Sequence, residues 1–536
     1  MRAFLMHPDR DFDVAPALRD ATFEAMLSGN PFALGRATAD TASPHPGRAV
    51  HDLMTEDLGL ETLCSAMSGG DPFIHETARR ALLSGLAGEA AIEYRQAVVA
   101  DALANPTVVR RLHALAAQAI EHERNPGTIF RPTEDPESRL TFSVKVLELE
   151  MGVLEQLRAI ADAESHRFHS DGFRRFFTMI ASDLDDDYLE LLRRQLQQLR
   201  FDGGILASAR LGRGDTARDW VIHRTPPSTW RQRFGFGPRT PSHSFDVSPA
   251  DAPGQRALAS LRSRTLAGVA DSTAQAVADV KDFFTMLRLE LSFHVGCLNL
   301  FDELSNRGVP TCLPGPATPD SHELAAHDLR DVSLALSGEY PVAGHDLDAD
   351  GAALVVVTGA NQGGKTTLLR SLGLAQLMMR AGMFVCARSF RASVASGVLT
   401  HFTRGEDPSL RSGKLDEELQ RMSLLADHVT PQCLLLCNDS FASTNEREGS
   451  ELGSTIISAM LDSDVTVVLV THLFELAERL REDPEHPTLF LRAADPDEGT
   501  TNDGAPIFRI APGVPQPSSH GALALSRLFP TGDRAP

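Results

Sequence analysis

Apolar and polar positions follow a helical period through the first part of the chain and a strand-like rhythm toward its end. From about residue 71 to 200, apolar residues recur at four-residue steps, as in Phe176, Ile180, Leu184, Tyr188, Leu192 and Leu196, which predicts amphipathic helices. A second tract follows Pro253, where Val277, Val280, Phe284, Leu287, Leu291, Val295 and Leu298 step by three and four. Unbroken from about 254 to 304, it would be roughly 75 Å long at 1.5 Å per residue. It reads either as a long helix in a bundle or as an arm carrying motion between distant sites. After about residue 340 the pattern changes to short apolar, β-branched runs between helical segments. AALVVVT, MFVCA, LLLC, VTVVLV and TLFL are the expected strands, the signature of a parallel α/β sheet. The Pro- and Gly-rich stretch from about 494 to 518 reads as a loop-laden final strand and tail.

Between the helical tracts, residues 201 to 252 are rich in Gly, Pro, Ser and Thr, with a strand-like GGILASARLG near their start. This segment is locally basic. Between positions 210 and 239, Arg210, Arg213, Arg218, Arg224, Arg231, Arg233 and Arg239 face only Asp215 and Asp219, and both tryptophans, Trp220 and Trp230, lie among them. Guanidinium forks suit phosphates and aromatic rings can stack on bases, so these arginines are the DNA-contact candidates, against the alternative of a solvated loop.

At 536 residues the chain is long enough for several domains. Its 42% hydrophobic and 23% charged residues are ordinary for a globular protein. No apolar run reaches the length a membrane span requires, and the start MRAFLMHPDRDFD lacks a secretory core, so the expected location is cytoplasmic and nucleoid-associated. The net charge of −21 excludes indiscriminate coating of nucleic acid, and DNA contact would have to come from a local patch. The six cysteines, at 64, 297, 312, 386, 433 and 437, show no C-x-x-C pair and read as free buried thiols.

The chemistry concentrates after AALVVVT. Gly359-Ala360-Asn361-Gln362-Gly363-Gly364-Lys365-Thr366, followed by Thr367, matches G-x-x-x-x-G-K-[ST] and runs into a helical TLLRSLGLAQLMMRAG. In that strand–loop–helix context, glycine backbone wraps a polyphosphate and the helix N-terminus adds partial positive charge. Lys365 reaches the β- and γ-phosphates, and Thr366 can ligate magnesium. Downstream, CLLLC ends in Asn438-Asp439, where such ATPases usually carry an acidic pair. Here the metal-side residue, Asn438, is a neutral amide and the water-orienting one, Asp439, is the shorter acid, so slow hydrolysis is expected unless the pair merely ends a strand in a turn. The strand Val465 to Val470 delivers Thr471-His472 to the sheet edge where ligands bind, and His472 is either a γ-phosphate sensor or a structural residue. Ser412-Gly413-Lys414 precedes LDEELQRMSLLADHV. Ser412 is a possible N-cap, or part of a helix start that presents donors to a nucleotide on a second subunit.

Together these stretches resemble the MutS family of DNA mismatch-repair ATPases. TGANQGGKTTLLR is similar to that family's TGPNMGGKST-type loop, LLCNDSFASTNEREG to its LMDE-G-TST-DG stretch, and VTHLFELAERL to its ATH-FEL segment. VAGHDL, AGMFVCA and PGVPQPSSHGALAL resemble three further family segments in the same order. The resemblance covers roughly 180 residues at the C-terminal end and is a matter of pattern only before them. It implies a homodimer with two composite ATP sites and DNA held between arms. Lys365 and Thr366 would bind ATP and Mg2+, Asp439 would take the place of the catalytic glutamate, His472 that of the switch histidine, and Ser412 that of a trans-acting serine. Asn438 stands where the family has aspartate, and Cys386 where it has proline. The first 140 residues hold no suitable Phe-x-Glu wedge, which leaves open whether mismatches are recognised, and no C-terminal nuclease-like module is visible.

The expected architecture is an α/β P-loop ATPase domain, a parallel sheet flanked by helices, preceded by a mostly α-helical core and lever with a clamp-like insertion. Residues 1–70 form an N-terminal segment, 71–200 a helical core and lever, 201–252 the basic insertion, 253–340 a long helix and connector, and 341–536 the ATPase domain. The expected function is an ATP-dependent, dimeric clamp or sensor of DNA structure in repair or recombination, with downstream repair proteins as further partners. Two other readings remain open: a chromosome ATPase of ABC or SMC type, and a nucleotide-locked scaffold that recruits proteins and barely turns over.

Overall fold

The computed structural model describes residues 1–12, 46–124, 135–201, 205–211, 217–223, 247–338, 342–359, 363–404, 413–482, 485–493 and 510–516. Its elements run in chain order from α1 (Pro46–Leu58), α2 (Leu60–Ser68), α3 (Pro72–Ser84), α4 (Glu89–Ala104) and α5 (Pro106–Arg124) to α6 (Pro136–Glu164), α7 (Asp171–Asp183) and α8 (Asp186–Leu199). A hairpin of β1 (Leu206–Leu211) and β2 (Ala217–His223) then leads to α9 (Ala252–Asn306). After β3 (Gly315–Ala317), β4 (Leu324–Leu329), α10 (Val332–Ser337) and β5 (His345–Asp348) come β6 (Leu354–Gly359), α11 (Lys365–Arg380), β7 (Ser389–Ser393) and β8 (Val398–Phe402). The last are α12 (Lys414–Ala426), β9 (Leu434–Asn438), α13 (Glu446–Asp462), β10 (Thr466–Val470), α14 (Phe474–Glu482), β11 (Thr488–Ala493) and β12 (Ile510–Pro512). The chain divides into two compact units, one comprising Met1–Ala3, Arg110–Phe168 and Arg174–Arg288, the other the remainder.

The first unit is helical with one hairpin. Leu140, Val144, Val146 and Leu147 of α6, Leu196 of α8, and Leu266, Ala270 and Val277 of α9 form one buried cluster. The tract expected from about 254 to 304 is a single 55-residue helix. The four-step stripe from Phe176 to Leu196 is interrupted. Phe176, Ile180 and Leu184 are buried, but Tyr188 is 46% exposed and Leu189 is buried instead. Asp185 explains the change of phase: its carboxylate caps a new helix by accepting from the Tyr188 N–H, so the chain restarts its helical count there. The strand-like stretch near 205 pairs antiparallel with β2, Leu206 opposite His223 and position 210 opposite position 218.

The second unit holds two sheets. The larger has the order β12-β11-β6-β10-β9-β8, all parallel except β12 at its edge. Runs such as Leu354–Val357 and Val467–Val470 are buried on both faces, as parallel strands covered by helices require. The core under this sheet gathers Val356, Leu435, Val467 and Leu469 against Ile457 of α13 and Leu476 of α14. AALVVVT, LLLC, VTVVLV and TLFL contribute β6, β9, β10 and β11. MFVCA is not a strand. Val385 makes only an isolated bridge with Cys312, because the turn at Gly382, φ +72, brings this wholly buried run past irregular backbone, and pairing begins at Ser389. The smaller sheet, β3-β7-β4-β5, is mixed.

From Phe4 onward the start of the chain is part of this second unit's interior. Leu5 and Met6 are fully buried. The Leu5 N–H donates to Glu290 Oε2 at 2.7 Å and the Phe12 N–H to Glu290 Oε1 at 3.3 Å. Arg95 donates through Nε to the Met6 carbonyl at 2.9 Å and through a terminal nitrogen to the Ala381 carbonyl at 3.1 Å, at the end of α11. Tyr94 Oη donates to the Phe4 carbonyl at 2.6 Å.

Candidate functional site: a phosphate loop and its strand-end neighbours

Three adjacent parallel strands, β6, β10 and β9, end at the same level, and the expected site residues stand at those ends. Gly359 closes β6 with φ +110. A side chain there would meet the backbone of Ala493 on β11, its Cβ falling 2.6 Å from that carbonyl oxygen, so only glycine fits. Gly364, at φ +84, precedes α11, and no side chain caps that helix. A helix start of this kind suits an anion, because its first amides point out along the axis. Gly363 is buried, Thr367 lies in the first turn of α11, and Ala360, Asn361 and Gln362 lie outside the described residues.

Lys365 is 6% exposed and its Nζ donates to the Gly359 carbonyl at 2.6 Å, across the mouth of the loop. Burial lowers its pKa and the Asp439 carboxylate opposes that shift. Thr366 Oγ1 donates to Asn438 Oδ1 at 3.1 Å. That places two neutral oxygens side by side, a hydroxyl and an amide carbonyl, where a hard divalent cation would find donors but no charge. Asp439 follows with φ +51, and its Oδ1 accepts from His472 Nδ1 at 3.0 Å. This hydrogen bond, ahead of the opposing effect of partial burial, raises the His472 pKa. The arrangement thus combines a lysine over an uncapped helix start, a pair of metal-side oxygens, and a carboxylate–imidazole pair. It can bind a polyphosphate and hold a water or a proton beside it.

Ser412 lies outside the described residues, and it is not the cap of α12. The N-cap is Gly413, in an extended conformation and making no side-chain cap bond. Of the DNA-contact candidates, Arg210 is exposed on β1. Position 218 lies opposite it on β2. Arg213, Arg224, Arg231, Arg233 and Arg239 lie outside the described residues. Sequence reasoning missed Thr403, Glu418 and Ser443, which surround the Asp439 turn, and Glu446, whose Oε1 accepts from the Phe474 and Glu475 N–H groups at the start of α14. An open cavity of about 570 Å³ lies between β5 and β12, lined by Gly344, His345, Leu491 and Ala511 among others.

Two family models match the chain in order: the MutS2 N-terminal domain over residues 88–307 and MutS domain V over residues 355–511. The chain is a MutS family protein. MutS protein homolog 4 of Mus musculus is 25% identical over 141 residues, 26% of this chain and 15% of that protein. DNA mismatch repair protein MutS of Porphyromonas gingivalis is 26% identical over 201 residues, 34% of this chain and 22% of that protein. Endonuclease MutS2 of Anaeromyxobacter is 34% identical over 164 residues, 30% of this chain and 20% of that protein. The matched stretches thus span less than a quarter of these relatives' lengths. The domain V match begins at Val355, inside the strand that leads into Gly359, and takes in Lys365, Asn438, Asp439 and His472. Among the described residues no helix is long and apolar enough to cross a membrane.

Proposed function

We propose that this MutS family chain is an ATP-dependent DNA-binding protein that works as a homodimer and senses or clamps DNA structure in repair or recombination. The observation that carries the proposal is the convergence of Lys365, Thr366, Asn438, Asp439 and His472 on the ends of three neighbouring strands. The residues present fit Mg2+ and ATP. Uncapped amides of α11 and Lys365 would hold the phosphates, and the Thr366 and Asn438 oxygens would hold the cation. Bound magnesium would supply charge neutralisation for the phosphates. Asp439 orients the attacking water, and His472, hydrogen-bonded to it, takes or returns a proton and registers the loss of phosphate. With an amide at 438 and the short acid at 439, turnover is slow. The start of α12, with Ser412 before it, would face the nucleotide of the second copy. The arginines around the hairpin would contact DNA phosphates, and downstream repair proteins would follow.

A second reading, a nucleotide-locked scaffold, is favoured by the neutral Asn438. The test is the ATPase rate with and without duplex, mismatched and branched DNA at two salt concentrations, comparing the wild type with Lys365→Ala. Stimulation that weakens with salt and vanishes in the variant supports the DNA-coupled ATPase. ATP binding without turnover or DNA response supports the scaffold.

A further inference from the structure

The turn after β9 is held from outside. Asp439 and Phe441 have φ of +51 and +65 although neither is glycine, and such residues persist in the left-handed region only when their surroundings over-determine them. The Asp439 N–H donates to the Val470 carbonyl at 2.9 Å. Its carbonyl accepts from Thr403 Oγ1, just beyond β8, at 2.6 Å. The Phe441 ring stacks on His401, with centroids 5.6 Å apart. His401 Nε2 meets the Glu418 carbonyl at 3.1 Å, which only a donor satisfies, so a neutral His401 carries its proton on Nε2 and leaves Nδ1 as an acceptor 2.7 Å from the Ser440 hydroxyl, whose proton the His401 carbonyl at 2.9 Å also draws. Burial, which lowers the His401 pKa, favours that neutral form.

Glu418 sits on the first turns of α12 and is 2% exposed. A buried carboxylate requires donors, and both of those found here belong to the walls of the Asp439 turn. Ser443 Oγ donates to Oε2, and Thr403 Oγ1 lies 3.4 Å from Oε1. The Thr403 hydroxyl has one proton and three acceptors in reach: the Asp439 carbonyl at 2.6 Å, the Asn438 carbonyl at 3.2 Å and Glu418. Where α12 places the Glu418 carboxylate therefore decides whether Thr403 keeps hold of Asp439.

We propose that Glu418 is a positioning residue: held back by Ser443, it leaves the Thr403 proton to the Asp439 carbonyl, and by how strongly it competes for that proton it sets how firmly Asp439 is kept turned toward His472 and couples the start of α12 to the phosphate site. This rests on the reading of Asp439 as the water-orienting group. A displacement of α12, from whatever docks at its beginning, is transmitted to Asp439 along hydrogen bonds rather than through the nucleotide.

The test uses the full chain with Thr403→Val, which keeps the volume but removes the hydroxyl, and Ser443→Ala, which frees Glu418 to draw the Thr403 proton, as a milder second variant. ATP turnover falls about tenfold in Thr403→Val, with KM and the Kd for a fluorescent ATP analogue unchanged. Combining either variant with Asp439→Asn adds no further loss, because both act through one group. In parallel, the His472 ring is titrated by NMR without nucleotide, and its midpoint falls toward the ordinary histidine value in Thr403→Val and Ser443→Ala. An unmoved His472 midpoint in both variants overturns the proposal, as does a turnover loss matched by lost analogue binding. If the wild type does not hydrolyse ATP while the midpoint still falls, the coupling stands and the ATPase reading fails.

Discussion

Gly359→Ala is the substitution whose cost the structure sets most directly. At φ +110 an alanine sits outside the regions open to L-residues, a strain of about 1–3 kcal/mol. The new Cβ would also lie 2.6 Å from the Ala493 carbonyl oxygen and 2.9 Å from its nitrogen. These are backbone atoms in the last rung of the β6–β11 ladder and cannot swing aside. Moving them apart weakens that rung, worth about 0.5–1.5 kcal/mol. The expected loss is therefore about 2–4 kcal/mol, a large part of a typical domain's 5–15 kcal/mol. ATP binding falls as well, since Lys365 Nζ is held by the displaced carbonyl. Tryptophan emission is the wrong probe, because both tryptophans lie at 220 and 230, far along the chain from the loop. Hydrogen exchange of the β6 and β11 amides reports the rung itself. Gly351→Ala is the control. It has φ +77 but nothing within 4 Å of the added Cβ, so it carries strain without collision and costs about 1–2 kcal/mol. Equal effects from the two variants, or wild-type exchange in Gly359→Ala, would refute the argument from contact.

His472 titrates above the usual 6.5 because Asp439 accepts its proton. The contribution of that pair to stability is complete below pH 6.5 and is lost as pH rises through the raised value; an NMR titration of the ring, with Asp439→Asn returning the midpoint downward, checks both. Asn438→Asp puts a charge beside Thr366 and lowers the Mg2+ concentration needed for half-maximal ATP binding, measured by titration at fixed ATP. Asp439→Glu raises turnover sharply if the site is attenuated but working, whereas no change in single-turnover rate favours the scaffold. Glu290 is buried and its pKa is pushed up from 4.5 to about 7, burial outweighing its two backbone donors. Its contribution is full below pH 4.5 and declines toward pH 7, and Glu290→Gln flattens that slope in denaturant midpoints measured across pH 4–8.

What could be read in the sequence was what local chemistry dictates. A run such as LVVV followed by a glycine loop has few conformations open to it, and LLLC, VTVVLV and TLFL were visible as short apolar runs between helical segments. The smaller sheet was not, since GPA, LAAHDL and HDLD carry little strand propensity and are held by pairing with partners remote in sequence. MFVCA misled because a buried apolar run looks the same whether or not its backbone pairs in a ladder. Ser412 looked like a cap because serine favours that place, yet Gly413 occupies it. Glu418 was hidden for a different reason. In LDEELQ it reads as one more acid in the first turns of a helix, and only the fold brings Thr403 and Ser443, 15 and 25 residues away, to its two oxygens.

The residues from Phe4 to Phe12 behave as an internal plug. Shortened forms of the chain that begin at α1 would strip Glu290 of two donors and Arg95 of an acceptor in a region closed to water. They would also bare the apolar surface on which Leu5 and Met6 rest. Such forms should collect in the insoluble fraction even with every motif of the phosphate site intact, so an inactive truncation would report a missing plug and say nothing about the chemistry.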